Sequence, residues 1–203
     1  MRIDFLDTAG WVAFIVYLAL LFWRHGYQLN VDRKNRGRDF QSLDVRDNGL
    51  VVIVLCWSLL HLSALSAVWG SRAVAPDWSI SLGLVVIASG AWCGVLAIRE
   101  LAANYNIAVG LYANHQLVDT GVYSVVRHPI RVGIILEGFG ATMIVWNVGS
   151  IALFVLLFFC LLRRTEVEER ILVAHFGSEY VTKLSEIPRF NIFWGIIRRI
   201  AFR

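Results

Sequence analysis

Apolar runs approaching the length a helix needs to cross a bilayer restrict the fold of this chain more than any other feature. Three are clear: Gly10 to Trp23, Leu50 to Trp69 and Trp78 to Ile98. A fourth, Val132 to Val148, and a fifth, Ile151 to Leu162, are shorter and separated by Asn147, Gly149 and Ser150, which read as a tight turn between antiparallel helices. With 58% hydrophobic and 17% charged residues and a mean hydropathy of +0.63, 203 residues are too apolar for a soluble domain. The expected fold is an all-α integral membrane protein of about five transmembrane helices. Eight Trp and six Tyr suit its two membrane–water interfaces.

The net charge of +4 is explained by membrane orientation without invoking nucleic acid. The stretch between the first two spans holds six Lys or Arg, the stretch from Arg99 to Arg131 holds three, and the segment after Leu162 holds eight; the alternate segments hold Arg2, Arg72 and none. This bias places the N-terminus outside and the C-terminus in the cytosol of a multi-pass protein, with a bacterial inner membrane as the expected home. Asp4 and Asp7 stand where a signal peptide would be basic, so the first span is expected to stay. Cys56, Cys93 and Cys160 sit within apolar runs, have no metal-ligand spacing, and are read as packing residues. The charge mixture from Arg24 to Asn48, including Arg33, Lys34, Arg36, Arg38 and Asp39, reads as a solvated loop near headgroups.

The fifth span does not stop at the membrane. From Ser150, an N-cap candidate, to Gly177, a C′ candidate, there is no proline and no internal glycine, which gives a rod roughly 39 Å long with about half projecting into the cytosol. On it Arg164 and Glu168 are spaced i, i+4 and share a face, while Glu169 points elsewhere. An ordinary surface ion pair is one reading of that spacing.

The richest polar run is His115 to Pro129. Asp119-Thr-Gly121 forms a turn, and Pro129 at a first helical position leaves Arg127 and His128 at the mouth of the fourth span. Arg127, His128, His115 and the unpaired N–H groups of a helix start make a corner suited to the carboxylate of a small zwitterion. Its positive end would then meet Glu168 or Glu169. Glu137 lies seven residues into a span, where an unpaired carboxylate costs at least ~2.5 kcal/mol. It is expected either to approach a substrate cavity or to pair with Arg131. His61, alone in the second span, reads as a hydrogen-bonded core histidine. His115 and His128, thirteen residues apart with no cysteine nearby, make no zinc site, so no metal is expected. Rossmann, P-loop and GxSxG patterns are absent from their required contexts.

These residues resemble the isoprenylcysteine carboxyl methyltransferases and their bacterial and archaeal relatives, which share features with phospholipid N-methyltransferases. The resemblance rests on His115-x-Leu-Val-x-x-Gly121-x-Tyr123-x-x-x-Arg127-His128-Pro129, then Arg164-x-x-x-Glu168-Glu169, then Phe176-Gly177-x-Glu179-Tyr180 with Pro188-Arg189 behind. It implies an S-adenosylmethionine-dependent methyltransferase acting on a lipophilic small molecule at the bilayer. Residues 1–98 would be the N-terminal transmembrane helices and 99–203 the cofactor-binding catalytic region. The resemblance implies that His115, Gln116 through its backbone, Leu117, Val118, Tyr123, His128, Pro129 and Glu168 enclose the cofactor, with Arg127 joining them. Arg164 and Glu168 would be the catalytic pair, Arg164 orienting the methyl acceptor and Glu137 a second acceptor contact. Two departures bear on the acceptor: Arg131 stands where an aromatic residue is common after His-Pro-x, and Ala108 where a polar residue often precedes the first His. The rival readings are a membrane reductase using NADPH, since sterol reductases resemble the C-terminal half, and a small transporter subunit with Glu137 in its path.

Overall fold

The computed structural model describes residues 8–38, 40–42, 48–69, 76–107, 110–112, 114–184 and 186–201. Arg2, Asp4, Asp7, Asp39, Arg72 and Ala108, all used in the sequence reading, lie outside the described residues. Helices α1 (Thr8–Asn35), α2 (Asn48–Trp69), α3 (Asp77–Leu101), α4 (Pro129–Val145) and α5 (Val148–Phe176) form the bundle, followed by α6 (Ser178–Leu184) and α7 (Ile192–Ala201). Four of them contain stretches long and apolar enough to cross a membrane: Trp11–Asn35, Gly49–Val68, Trp78–Asn104 and Val148–Phe176. The expected all-α integral membrane fold is therefore found. The fourth apolar segment forms α4, whose 17 residues reach roughly 25 Å, short of the ~30 Å hydrocarbon core, and which packs along α3.

Glycines set that packing. Gly83 faces Gly140 and Gly90 faces Gly133 across the α3–α4 contact. A Cβ at Gly90 would stand 2.6 Å from the Gly133 carbonyl oxygen, and one at Gly140 would stand 2.6 Å from that of Gly83. Only glycine lets the two backbones approach this closely, as small residues do between membrane helices generally. Tyr17, Leu60, Ile87, Ile144, Leu157 and Leu161 fill the core where the five helices meet. His61 is the core histidine expected, its Nδ1 lying 2.6 Å from the Tyr17 hydroxyl. Cys56 is buried, Cys93 and Cys160 are half-buried, and all three are free thiols in packing positions.

Two sequence expectations need correction. The stretch from Arg24 is not a loop: α1 continues through it to Asn35, because Arg24 is buried among the helices and α1 has a docked end. The Asn35 amide donates to the carbonyls of Ala102 at 2.9 Å and Tyr105 at 2.8 Å, tying the end of α1 to the turn after α3. Only then does the chain leave the helix for β1 (Phe40–Ser42), which pairs antiparallel with β2 (Gly110–Tyr112) in the register Phe40↔Tyr112. The N-cap of α5 is Asn147, not Ser150. Asn147 accepts from the Ser150 amide at 2.8 Å while the Ser150 hydroxyl accepts from the Asn147 amide at 3.3 Å, a reciprocal capping box that adds a turn to the helix. The rod is roughly 43 Å long and ends, as expected, at Gly177 with φ 55°.

Because the α3–α4 contact has no room for a side chain, Gly90→Val is expected to destabilise the bundle by about 1–3 kcal/mol through overpacking. Thermal unfolding in detergent would register this as a lowered midpoint, whereas the same change at Gly26, with nothing within 4 Å of its Cβ position, would cost much less.

Candidate active site

Where α4 begins and α5 runs past it, a cavity of about 400 Å³ opens among α1, α2, α4, α5, α6 and the loop after α3. His115, Gln116, Leu117, Val118, Tyr123, Arg127, His128, Arg164, Glu168 and Glu137 all line it. Of the residues expected at the site, Pro129 alone does not. It is the first residue of α4, fully buried, and its carbonyl accepts from the Cys93 thiol at 3.4 Å.

Three carboxylates organise the walls. Glu169 has the most partners: Arg127 Nη1 at 3.0 Å, His128 Nε2 at 3.1 Å and Arg189 Nε at 3.2 Å. The Pro188 and Arg189 carbonyls accept from the backbone N–H groups of Arg127, at 3.0 Å, and His128, at 3.3 Å. The strap between α6 and α7 is thereby stitched to the mouth of α4. Arg127 and His128 thus each turn one nitrogen to Glu169, which the sequence places on another face from Glu168. Glu168 meets Arg131, whose Nη2 donates to it at 2.8 Å. Arg164 is 4% exposed and donates to the Ile107 carbonyl at 2.9 Å, a buried guanidinium at the cavity wall.

Glu137 does reach the cavity, but its partner is not Arg131. Its Oε1 lies 3.3 Å from Arg24 Nε and its Oε2 accepts from Trp57 Nε1 at 3.0 Å. Residues 131 and 137 are six apart, which puts them on different faces of α4, one toward α5 and the other toward α1 and α2. Arg24, His25 and Trp57 were missed in the sequence reading. The signal for Arg24 was available in an acid within one apolar run and an arginine at the end of another, which need one another in a membrane.

The loop from His115 is held by Asn104, whose side chain accepts from the Gln116 amide at 3.3 Å and donates to the Gln116 carbonyl at 3.2 Å. The Gln116 main chain is therefore already engaged. Burial, reinforced by neighbouring His175, holds the His115 imidazole below its usual pKa, so it is neutral at pH 7; its Nδ1 is buried without a hydrogen-bond partner. Burial pushes the Tyr105 phenol up to about 12 and the Tyr123 phenol well above its ordinary value, so both remain neutral hydrogen-bonding walls. The arrangement joins a polar end, with paired charges and neutral rings, to an inner end walled by Ile53, Val54 and Ile134. Such a cavity suits a charged cofactor beside a lipophilic molecule.

Residues 78–179 match the phospholipid methyltransferase family. The chain is 27% identical over 114 residues to protein-S-isoprenylcysteine O-methyltransferase of Saccharomyces cerevisiae, covering 55% of this chain and 48% of the yeast protein. It is 28% identical over 114 residues to protein-S-isoprenylcysteine O-methyltransferase B of Arabidopsis thaliana, covering 55% and 58%. The match to protein-S-isoprenylcysteine O-methyltransferase of Xenopus laevis is 28% over 193 residues, or 90% of this chain and 65% of that protein. The chain spans about half the length of the first two relatives.

Removing one member of a buried ion pair strands the other. Arg24→Met is expected to cost about 3–5 kcal/mol, and the double change with Glu137→Gln to cost less than the sum of the singles. Thermal unfolding of the four proteins in one detergent measures this coupling, and strict additivity would mean that the pair does not interact. For His115, the lowered folded pKa means that the unfolded chain binds more protons as the pH falls through about 6.5. Stability is therefore full above that window and declines below it. His115→Gln should flatten the decline in unfolding midpoint measured between neutral and mildly acidic buffers.

Proposed function

The chain belongs to the phospholipid methyltransferase family, and from that premise we propose that it is an integral-membrane methyltransferase using S-adenosylmethionine to methylate a lipophilic, isoprenylcysteine-carboxylate-like small molecule. The observation that carries the reading is the single cavity in which Glu168, Arg164 and the His115–Val118 loop share walls with apolar residues of α2 and α4. The names of the similar proteins, all protein-S-isoprenylcysteine O-methyltransferases, support the acceptor class.

When bound, S-adenosylmethionine supplies a methyl group on a sulfonium, ready for in-line displacement. His115, Gln116, Leu117, Val118, Tyr123, Arg127, His128 and Glu168 would hold it, with Pro129 fixing the start of α4 beneath them. The residues fit such a group: His115 Nδ1 is a buried polar atom lacking a partner, and Glu168 offers negative charge toward a cationic centre. Arg131 restrains the Glu168 carboxylate by a direct hydrogen bond, so its position is set before anything binds. Asn104 does the same for the Gln116 main chain.

Arg164 orients the acceptor. A carboxylate acceptor is already a nucleophile at pH 7 and needs no base, so a buried, fixed guanidinium meets its whole requirement. An amine or thiol would have to lose a proton, and Glu168 is then the candidate proton acceptor because both oxygens of Glu137 face Arg24 and Trp57. Glu137 serves as a wall contact for the acceptor at the inner end. The apolar inner wall admits a lipophilic acceptor from the bilayer while the polar end faces the cytosol, an orientation consistent with the distribution of Lys and Arg along the chain.

Calorimetric titration of the purified protein in mild detergent tests the reading. S-adenosylhomocysteine is expected to bind with micromolar affinity and NADPH not to bind. Binding of NADPH alone would point to a reductase, and binding of neither by folded protein would point to a non-enzymatic membrane subunit. Glu168→Gln should weaken S-adenosylhomocysteine binding, while Arg164→Ala should reduce methyl transfer to a prenylcysteine with that affinity largely kept. Equal affinity in wild type and Glu168→Gln would remove Glu168 from the site.

A further inference from the structure

The last helix carries a face that the bundle leaves uncovered. On α7 the side chains of Phe193, Ile197 and Ile200 are 83%, 56% and 76% exposed, and their i, i+4, i+7 spacing makes one apolar row with Trp194 and Ile196 beside it. The opposite face is polar and docked. Arg198 donates to Glu186 at 3.0 Å, and Arg199 donates to the Gly121 carbonyl at 3.4 Å. Between the two arginines on that face, Gly195 is buried, and a Cβ there would run into the backbone carbonyl of Val125.

Those docking points fix the level of α7 relative to the bundle. Val125 lies four residues ahead of Pro129, at the mouth of α4. Gly121 packs on the carboxylate of Glu100, in the last turn of the membrane-crossing α3, where the apolar run gives way to Arg99 and Glu100. The helix therefore sits where the spanning helices leave the hydrocarbon. A short helix with Phe, Trp and Ile on one side and arginines on the other, held at that level, has the composition of a helix that lies in the membrane interface.

We propose that α7 is an interfacial helix whose apolar row is buried at the boundary of headgroups and acyl chains, so that the partner covering it is the lipid surface. Like the exposed apolar side chains of the crossing helices, such as Leu62, Val85 and Phe159, the row has no cover among the described residues. The strap that leads into α7 is the one hydrogen-bonded to the backbone of Arg127 and His128, so a helix held by lipid also steadies the floor of the cavity. The placement stands on packing alone and does not depend on the proposed chemistry.

Cysteine accessibility in the full chain tests it. Ile197→Cys, Ile200→Cys and, as an exposed control on α6, Thr182→Cys would be reconstituted one copy per nanodisc in phosphatidylcholine and phosphatidylglycerol. Their reaction with a water-soluble maleimide would be timed, with the wild type as the blank for its own three thiols. Positions 197 and 200 are expected to react about tenfold more slowly than 182, as apolar positions sunk in an interface do. A fluorophore on Ile197→Cys should also be quenched by lipids bearing a spin label near the headgroup. Labelling at 197 and 200 as fast as at 182 would overturn the proposal. So would protection that appears in crowded proteoliposomes and vanishes in single-copy discs, since a second protein molecule would then be the cover.

Discussion

A carboxylate enclosed in an apolar bundle must meet a cation, and that requirement decides which helices of this protein become neighbours. Glu137, Glu168 and Glu169 each find a different one. Glu137 draws in Arg24 and so brings the end of the first span against α4. Glu168 takes Arg131 and locks α5 to the first turn of α4. Glu169 gathers Arg127, His128 and Arg189, binding the long helix to the mouth of α4 and to the strap beyond α6. Each pair is adjacent to the cavity, so the interactions that neutralise the buried charges also set the shape of the space between them.

The same geometry depends on the close approach of α3 and α4. With Gly83, Gly90, Gly133 and Gly140 at the contact, the two helices run backbone to backbone, and α4 presents its remaining faces to α1, α2 and α5. Arg24 lies against this contact: a Cβ at Gly94 would meet its guanidinium within 2.6 Å. A side chain on α3 there would push Arg24 away from Glu137. The glycine at position 94 thus leaves room for the intramembrane ion pair.

The membrane class, the apolar segments, the Pro129 helix start, the Gly177 helix end and the separate faces of Glu168 and Glu169 were legible in the sequence because each follows from local periodicity or from the chemistry of one residue. That His115, Tyr123, His128, Arg164 and Glu168 would meet at one cavity was legible through the resemblance of their motifs to a known family. Partnerships were not. Pairing Glu137 with Arg131 ignored the six-residue offset that sends them to different faces, and treating Arg24 to Asn48 as a loop ignored that a charged residue can continue a helix when a distant carboxylate awaits it. Ser150 was placed at the cap of α5 because sequence shows a capping residue but not which member of a reciprocal Asn–Ser pair sits at the first position.

The match to the methyltransferase family begins at residue 78, yet the cavity does not. Its polar end is built from the loop, α4 and α5, all within the matched stretch. Its inner end is walled largely by α1 and α2, through Arg24, His25, Ile53, Val54 and Trp57, which precede it. A common donor of methyl groups requires a common polar end, whereas the acceptor is met by whichever walls stand opposite. On the proposed reading, differences in acceptor among such proteins belong in the first two helices. In this chain those helices supply something a plain hydrocarbon tail does not call for, an arginine and a tryptophan hydrogen bond converging on a buried carboxylate.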